Sequence, residues 1–592
     1  MKYKKILKKL LNKKIINKID IKIYKILKKK ENFLVRTIII LLIYSYKKGK
    51  IFLNTNKKKT LKNNILKKIY KIFFNIKNYY KIIKKSKTIG TKKPYNYPII
   101  FYKKKFYFNK IFLIKKNFFN KIFNKNKIKK NINKIKKKTN KIKKIFKENK
   151  KIKLNKLQKT SIIMSIINKI TFIFGGPGTG KTTIISVIIF FILQICIKIK
   201  KIKIASLTGR ASSHLLISIQ KNLSKFKIKK KNIEKIPKKS YTIHSLLKIN
   251  PGITYPKFNK KNKLNIDLLI IDECSMISLI LLNSLIKSTK KKTKIIFLGD
   301  FNQLPPINDI NIIKQICKNF NNNFSKKMLK ILKYTINYHN STKKKKCYIN
   351  DNVCILKKNY RFKKHSGIYK ISNMILKNKI NKLKKKIQEN KLDNIFFKKI
   401  SNFEEYKNMI KIIFKKYKKY WNLVKKNSSP KKILEEFNKI RVICAIKKGF
   451  FGIKKINKNI KKIMIKKKII KKNKKWYIGK PIIIKKNQRD LNIFNGYIGI
   501  LLYDRNKNKK IFFKSYDNNF IKIPKYAIKH YEVAWSITIH KSQGSEFKET
   551  IIIIPNKKHK ILNKNLIYTA ITRTKKKTII FSDKKIFLKS IK

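Results

Sequence analysis

Acidic residues are scarce in this chain: 23 Asp and Glu stand against 158 Lys and Arg in 592 residues, a formal net charge of +135. Such an excess ordinarily announces a polyanionic partner such as nucleic acid. Arginine is nearly as scarce, with seven residues, and the lysines sit in a uniform Ile- and Asn-rich background, the pattern of AT-rich coding. The bulk charge therefore has two evenly weighted readings, mutational background or a binding footprint. The six cysteines (Cys196, Cys274, Cys317, Cys347, Cys354, Cys444) form no CxxC pair and no ligand-like spacing with the seven histidines. Neither a zinc site nor a disulfide framework is indicated, and reduced, cytosolic thiols are the expectation. Long apolar runs are missing as well. "TIIILLIYSY" at 37–46 and "IISVIIFFILQICI" at 184–197 are too short to span a bilayer, and the basic N-terminus "MKYKKILKKLLNKK" lacks a signal-peptide core. A soluble cytoplasmic protein is expected. The 43% hydrophobic content excludes wholesale disorder.

Scarcity makes the rare residue types informative. Residues 1–150 contain only Gly49 and Gly90 and read as mostly helical, with one strand-like patch, "YPIIFYKKKFYFNKIF", at 97–112. Residues 151–335 alternate short apolar strands ("ITFIF", "KIKIASL", "DLLIIDE", "KIIFLGD") with helical stretches, which predicts a parallel sheet covered by helices. A lysine-rich stretch at about 321–350, expected to be a linker or an insertion, leads to a second α/β domain over 336–592. Short strands and turns at about 476–535 fit a small β-barrel insertion within it.

Four of the sixteen glycines fall in "TFIFGGPGTGKTTII". Gly175, Gly176, Pro177, Gly178, Thr179, Gly180, Lys181 and Thr182 make the G-x-x-x-x-G-K-T pattern of a phosphate-binding loop, between a strand and an apolar helix that Thr183 continues. Backbone N–H groups wrap the phosphates there, and side chains larger than glycine would block the approach. Lys181 is expected on the β- and γ-phosphates and Thr182 on Mg²⁺. "DLLIIDECSMI" places Asp272 and Glu273 at the end of a buried strand, Asp272 for Mg²⁺ and Glu273 to activate the attacking water. "KIIFLGDFNQLPPI" adds Gln303, whose amide can bond a γ-phosphate oxygen and the water together. Arg210, Arg361 and Arg573 occupy distinctive clusters, "SLTGRASSHL", "KKNYRFKKHSGI" and "IYTAITRTK". A guanidinium grips a phosphoryl group bidentately where an ammonium cannot. Arg361 and Arg573 are expected to close on the γ-phosphate from the second domain.

These clusters, with "YTIHSLL", "AWSITIHKSQGSEF" and "YTAITRTKK", stand in the order of helicase motifs over about residues 155–578. The chain resembles the superfamily I DNA helicases, and within them the RecD family, the α subunits of exodeoxyribonuclease V. The resemblance implies two RecA-like P-loop motor domains, a small SH3-like β insertion and a mainly helical N-terminal domain that docks on partners. It implies ATP with Mg²⁺ as fuel, Gln158 as the residue that reads adenine, and 5′ to 3′ stepping along single-stranded DNA. Thr208 and Gly209 would meet DNA from the first domain, and Thr538, His540 and Ser542 from the second, while Lys541, Gln543, Gly544 and Glu546 couple DNA to the nucleotide. RecB and RecC are the implied partners at double-strand ends, with nuclease activity residing in a partner. A stand-alone RecD-like helicase and a nonspecific DNA-binding protein with a decayed ATPase are the alternatives.

Overall fold

The computed structural model describes residues 11, 17–27, 31–47, 49–54, 79–91, 96–122, 132–149, 153–196, 199–228, 230–249, 256–306, 313, 322–338, 351–362, 365–389, 392–488, 490–514, 519–557 and 559–591. Cys317, Cys347 and residues 321 and 339–350 of the expected linker lie outside the described residues, while the stretch between them holds a helix, Lys326–Ile336, whose Met328 and Leu332 are buried in a hydrophobic core. The chain divides into two compact units: Met1–Lys130 with Met276–Lys287 and Pro305–Asn319, and Asn131–Ser275 with Ser288–Leu304 and Phe320–Lys592.

In the first unit, helix α1 (Phe33–Lys47) is apolar on nearly every side and buried from Leu34 to Ser45 except at Arg36, as an all-round hydrophobic helix must be. It packs with a four-stranded sheet of order β1-β4-β3-β2: β1 (Leu53–Asn54), β2 (Ile89–Gly90), β3 (Ile99–Tyr102) and β4 (Lys105–Phe108). The strand-like patch is the β3–β4 hairpin. Its two-residue turn, Lys103 and Lys104, has both φ angles positive, at 47° and 57°, as a tight hairpin matching the strand twist requires. The buried Glu31 carboxylate accepts from Ser86 Oγ (2.9 Å) and Thr88 N (2.7 Å) and anchors the start of β2.

The second unit opens with α2 (Ile132–Glu148), whose Ile142 and Ile145 join the core of the first parallel sheet. This unit therefore starts at 131, not at the expected 151. Helix α3 (Lys156–Ile167) leads into β5 (Ile170–Gly175), followed by α4 (Lys181–Ile195), β6 (Ile202–Ser206), α5 (Gly209–Leu223), β7 (Ser240–Thr242), β8 (Leu268–Ile271), β9 (Lys294–Gly299) and β10 (Val353–Leu356). The sheet order is β10-β5-β9-β8-β6-β7, all parallel. Covered on both faces, the central strands β5, β8 and β9 are nearly continuous apolar runs. Strand β10 pairs with β5 in the register Val353↔Phe172 to Leu356↔Gly175, so the first sheet extends past the division expected at 335/336. A four-residue run, "VCIL", carries no motif and becomes a strand only through the edge that β5 offers it.

The second sheet has order β11-β20-β19-β12-β18 and is also parallel: β11 (Ile395–Lys398), β12 (Ile440–Cys444), β18 (Ser536–Thr538), β19 (Phe547–Ile553) and β20 (Thr574–Phe581). Helices α6 (Phe403–Lys416) and α7 (Lys418–Lys425) precede β12, α8 (Ile453–Lys466) follows it, and α9 (Lys564–Thr572) precedes β20. Between α8 and β18 an antiparallel sheet of order β16-β15-β14-β13-β17 is inserted, formed by β13 (Pro481–Ile484), β14 (Ile498–Tyr503), β15 (Lys509–Lys514), β16 (Phe520–Pro524) and β17 (Tyr531–Val533). It has its own core around Ile482, Leu501 and Phe513. Fully buried Trp535 ties it to the second sheet: its indole N–H donates to Tyr477 (3.0 Å) and its carbonyl accepts from Tyr417 (3.1 Å). The two parallel sheets with helices are the expected α/β class. No described helix is long and apolar enough to cross a membrane.

Candidate functional site

The C-terminal ends of β5, β8, β9 and β10 lie side by side in the first sheet, the place where open α/β sheets bind ligands. The loop after β5 is shaped by Gly178 and Gly180, with φ of 81° and 83°, in the left-handed region that side-chain-bearing residues avoid. A Cβ on Gly178 would also collide with Arg361. Gly180 is the N-cap of α4, so the first-turn N–H groups of a 15-residue helix face the loop. The Lys181 ammonium donates to the carbonyls of Gly175 (2.6 Å) and Gly176 (3.0 Å), and Thr179 Oγ1 donates to Gly176 O (2.8 Å). Thr182 is half-buried and Thr183 exposed in the first turn, while Pro177 is buried.

Asp272 and Glu273 follow β8 directly. Glu273 N donates to Asp272 Oδ1 (2.8 Å), and Glu273 has φ 52°, an uncommon backbone for a non-glycine residue. Burial, then the neighbouring Asp272 charge, pushes the Glu273 carboxyl up to about 7 against the opposing pull of Arg573 and Lys181. Burial likewise raises Asp272, opposed by the Glu273 N–H and by Lys181. Lys181, Asp272, Glu273 and Arg573 thus act on one another electrostatically. Thr182 Oγ1 and the Asp272 carboxylate are hard oxygen donors of the kind a small divalent cation takes.

After β9, Asp300 and Gln303 are both nearly inaccessible, at 2% and 4% exposure. Gln303 Nε2 donates to Asp300 Oδ2 (3.4 Å), and its Oε1 has no partner among the described residues. The second domain reaches this loop directly: Tyr568 donates to Asp300 Oδ2 (3.1 Å) and Asn565 Nδ2 to Gln303 O (2.8 Å).

Arg361 needs a correction. It was expected from the second domain, yet it follows β10, an edge strand of the first sheet. The segment before it clasps the phosphate loop: Tyr360 N donates to Gly178 O and Asn359 Nδ2 to Pro177 O, both at 2.7 Å. The Arg361 guanidinium pairs with Glu546, which also meets Lys575 (3.4 Å), and Arg361 Nη1 has no partner among the described residues. Arg573 does come from the second domain. It is 3% exposed, with Nε on Thr569 O (3.3 Å) and Nη1 on Ser545 O (3.2 Å).

Gln158 sits in a capping box at the start of α3. Its Oε1 accepts from Asn155 N (3.0 Å) and Tyr360 Oη (3.3 Å), and its Nε2 donates to Thr179 O (3.2 Å).

The expected DNA residues are not gathered with the nucleotide set. Thr208 caps α5 through Ala211 N (3.3 Å). Gly209 is buried, and a Cβ there would stand 2.8 Å from Phe494 of the inserted sheet region. Thr538 is 4% exposed and His540 half-buried. Ser542 is fully buried with its hydroxyl donated to Ile539 O (2.7 Å), so that side chain presents nothing to a strand outside. Gly544 (φ 70°) packs on Ala211, where a Cβ would be 2.8 Å from the Ala211 Cβ. Sequence reasoning gave no role to Asn359, Tyr360, Asn565, Tyr568 or Phe494. A signal was present in "NYRF" and "NLIYTAITR", whose uncharged polar residues accompany the rare arginines.

Two known families match the chain: an AAA domain over residues 158–309 and a UvrD-like helicase C-terminal domain over residues 533–581. The first spans Gln158 to Gln303 and the second Thr538 to Arg573. The chain is 40% identical over 442 residues to the RecBCD enzyme subunit RecD of Buchnera aphidicola subsp. Acyrthosiphon pisum, covering 73% of each chain. It is 40% identical over 450 residues to the same subunit of Buchnera aphidicola subsp. Schizaphis graminum, covering 74% of each. Against the Haemophilus influenzae subunit the identity is 30% over 457 residues, covering 74% of this chain and 70% of the relative.

Proposed function

Because this chain belongs to the RecD family of RecBCD subunits, we propose that its two parallel-sheet domains close on ATP–Mg²⁺ and step 5′ to 3′ along single-stranded DNA. It is an ATP-hydrolysing DNA helicase subunit of the RecBCD enzyme. The stand-alone and decayed readings are not favoured, because the match to RecBCD subunits spans nearly three quarters of both chains and the hydrolytic residues are all present.

The observation that carries the mechanism is the pair of orphaned buried atoms, Gln303 Oε1 and Arg361 Nη1, on segments next to a phosphate loop whose Lys181 acts on the Asp272–Glu273 pair after β8. Groups left unpaired in the protein interior are costly unless a ligand or water satisfies them. Thr182 and Asp272 are the residues to hold Mg²⁺, whose contribution when bound is to neutralise charge on the phosphate oxygens. Glu273 orients and deprotonates the attacking water, and Gln303 positions it. Lys181, with Arg361 from the first sheet and Arg573 from the second domain, balances the charge that develops on the γ-phosphoryl group. Gln158 has both Oε1 lone pairs engaged and one N–H left, so it reads the adenine through a single donated bond.

Thr208 and His540 are the side chains to touch the DNA backbone, while Gly209, Thr538 and Ser542 shape that surface from beneath. By family, the partners are RecB and RecC, the setting is double-strand break repair in the cytoplasm, the N-terminal unit docks, and the nuclease centre belongs to a partner.

The test is steady-state ATP hydrolysis by the purified chain, alone and with RecB and RecC, with and without single-stranded DNA. Lys181→Gln should abolish it, and Arg573→Ala should lower the DNA-stimulated rate by about 10³ or more, the range of an arginine finger. Hydrolysis indifferent to DNA and to Lys181→Gln would overturn the reading.

A further inference from the structure

A long open groove runs between α6–α7 and α8 on the second domain, on elements that carry none of the nucleotide or DNA residues. Its volume is about 930 Å³. The floor is apolar: Ile410 and Trp421 are buried beneath it, Phe414, Ile463 and Ile469 are partly covered, and Phe403 at one end is 59% exposed. The rims are cationic and in helical register. Lys407, Lys411 and Lys415 repeat every four residues along α6, and Lys462 and Lys466 do the same along α8. Like charges at this spacing repel. Two of the lysines lean over the floor, Lys407 at 4.7 Å from the Phe403 ring and Lys467 at 5.9 Å from that of Phe414. Among the described residues lining the groove there is no carboxylate.

Lysine is abundant throughout this chain, so the rims alone would say little. The information lies in their pairing with an uncovered apolar floor of helical dimensions. Helix α6 has 14 residues, a wall about 21 Å long. A groove between two helices, apolar below and cationic on both edges, is complementary to a helix with an apolar stripe flanked by acids. We propose that this groove docks an acidic amphipathic helix of a partner protein.

Nucleic acid fits it less well. Nonspecific single-strand sites offer aromatic faces to stacked bases. Here Tyr406 and Trp421 are 1% and 5% exposed, and the Tyr406 hydroxyl is engaged with Phe450 O (3.0 Å) and Asn459 Nδ2 (3.1 Å). Of the rest of the floor, Ile410, Ile463 and Ile469 are aliphatic, and the two rings, Phe403 and Phe414, each already face a lysine ammonium.

The probe is a labelled 18-residue peptide with Leu at i, i+3, i+4 and i+7 spacing and Glu on both flanks. It is compared with a scrambled peptide of the same composition and with an 18-nucleotide oligo-dT, by anisotropy with the full chain in enough salt to screen loose charge pairing. The striped peptide should bind at least tenfold more tightly than the scrambled one. The variant K411E/K462E, exposed on facing rims, and F403S should each weaken it at least tenfold while DNA-stimulated ATP hydrolysis is unchanged. That second readout separates failure here from failure of the motor assignment. Equal binding of the two peptides, or binding untouched by K411E/K462E, overturns the proposal. So does displacement of the peptide by oligo-dT together with loss of oligo-dT affinity in K411E/K462E, which would make the groove a nucleic-acid surface.

Discussion

Removing one oxygen, in Tyr568→Phe, should uncouple the two domains. The Tyr568 hydroxyl on α9 donates to Asp300 Oδ2 across the domain boundary at 3.1 Å, and the two residues are each 2% exposed. Asp300 Oδ2 would keep only the 3.4 Å bond from Gln303 Nε2, while Oδ1 keeps Asn302 N at 3.0 Å. A hydrogen bond to a charged group contributes roughly 1.5–3 kcal/mol. At about 1.36 kcal/mol per factor of ten, a contact made only when the domains are closed is worth on the order of 10- to 150-fold in the DNA-stimulated kcat. Burial, and then Asp300 itself, hold the Tyr568 hydroxyl well above its usual range, so it donates at every working pH and the loss should be pH-independent. Binding of a fluorescent ATP analogue should change little, because Lys181 and the loop are intact. Thr569→Val is the control: it deletes a bond to Asn565 O (2.7 Å) inside the same helix and crosses no boundary. A Tyr568→Phe enzyme with kcat within twofold of wild type, or a Thr569→Val enzyme equally slowed, would refute the argument that this hydroxyl couples the domains.

Two further perturbations act on the same interface. Gly544→Ala forces a left-handed backbone on a residue with a Cβ, costing about 1–2 kcal/mol, and drives that Cβ to 2.8 Å from Ala211; DNA stimulation should fall at least tenfold, and adding Ala211→Gly should recover the steric part but not the backbone part. Were the double variant no better than the single one, the contact with Ala211 would not be the cause. Burial pushes the Glu546 carboxyl up, but Arg361, Lys575 and Arg573 outweigh it and leave it below the usual carboxylate range. A depressed folded-state value means stability present above the unfolded value of about 4.3 and lost as pH falls through the folded one. Glu546→Gln should therefore melt below wild type at pH 7 and converge with it under acid; a melting difference that persists at pH 3 would remove the ion pair as its source.

What the sequence made legible is what local chemistry dictates. Scarce glycines at fixed offsets, an acid pair ending an apolar run and Gln303 after the next strand each depend on a few neighbouring residues, and the chain places all of them at adjacent strand ends of one sheet. What it hid depends on partners far away in the chain. Strand β10 is four apolar residues that acquire their identity from β5, some 180 positions earlier, and with them Arg361 changes sides of the cleft. Helix α2 looked like more lysine-rich N-terminal background until Ile142 and Ile145 found the first core. Ser542 shares a motif with the half-buried His540 and Lys541 but points inward, because a three-residue 3₁₀ turn at His540–Ser542 donates its hydroxyl back to Ile539 O.

The residues that join the domains follow the same rule. Tyr568, Asn565 and Glu546 meet Asp300, Gln303 and Arg361 across 185 to 268 positions, and no spacing within either segment encodes such a meeting. Arginine is rare here, and in both clusters an uncharged neighbour also makes a contact between distant segments: the Tyr360 backbone N–H and Asn359 Nδ2 onto the phosphate loop, Tyr568 onto Asp300. In a chain saturated with lysine, a few paired cations, Arg361 on Glu546 and Lys416 on Glu549 among them, share the long-range contacts with uncharged polar side chains. A lysine at any of these positions would be one more repelled charge, whereas a buried tyrosine or asparagine has a single geometry in which its polar atoms are satisfied. That is why the interface can be built inside a molecule of net charge +135.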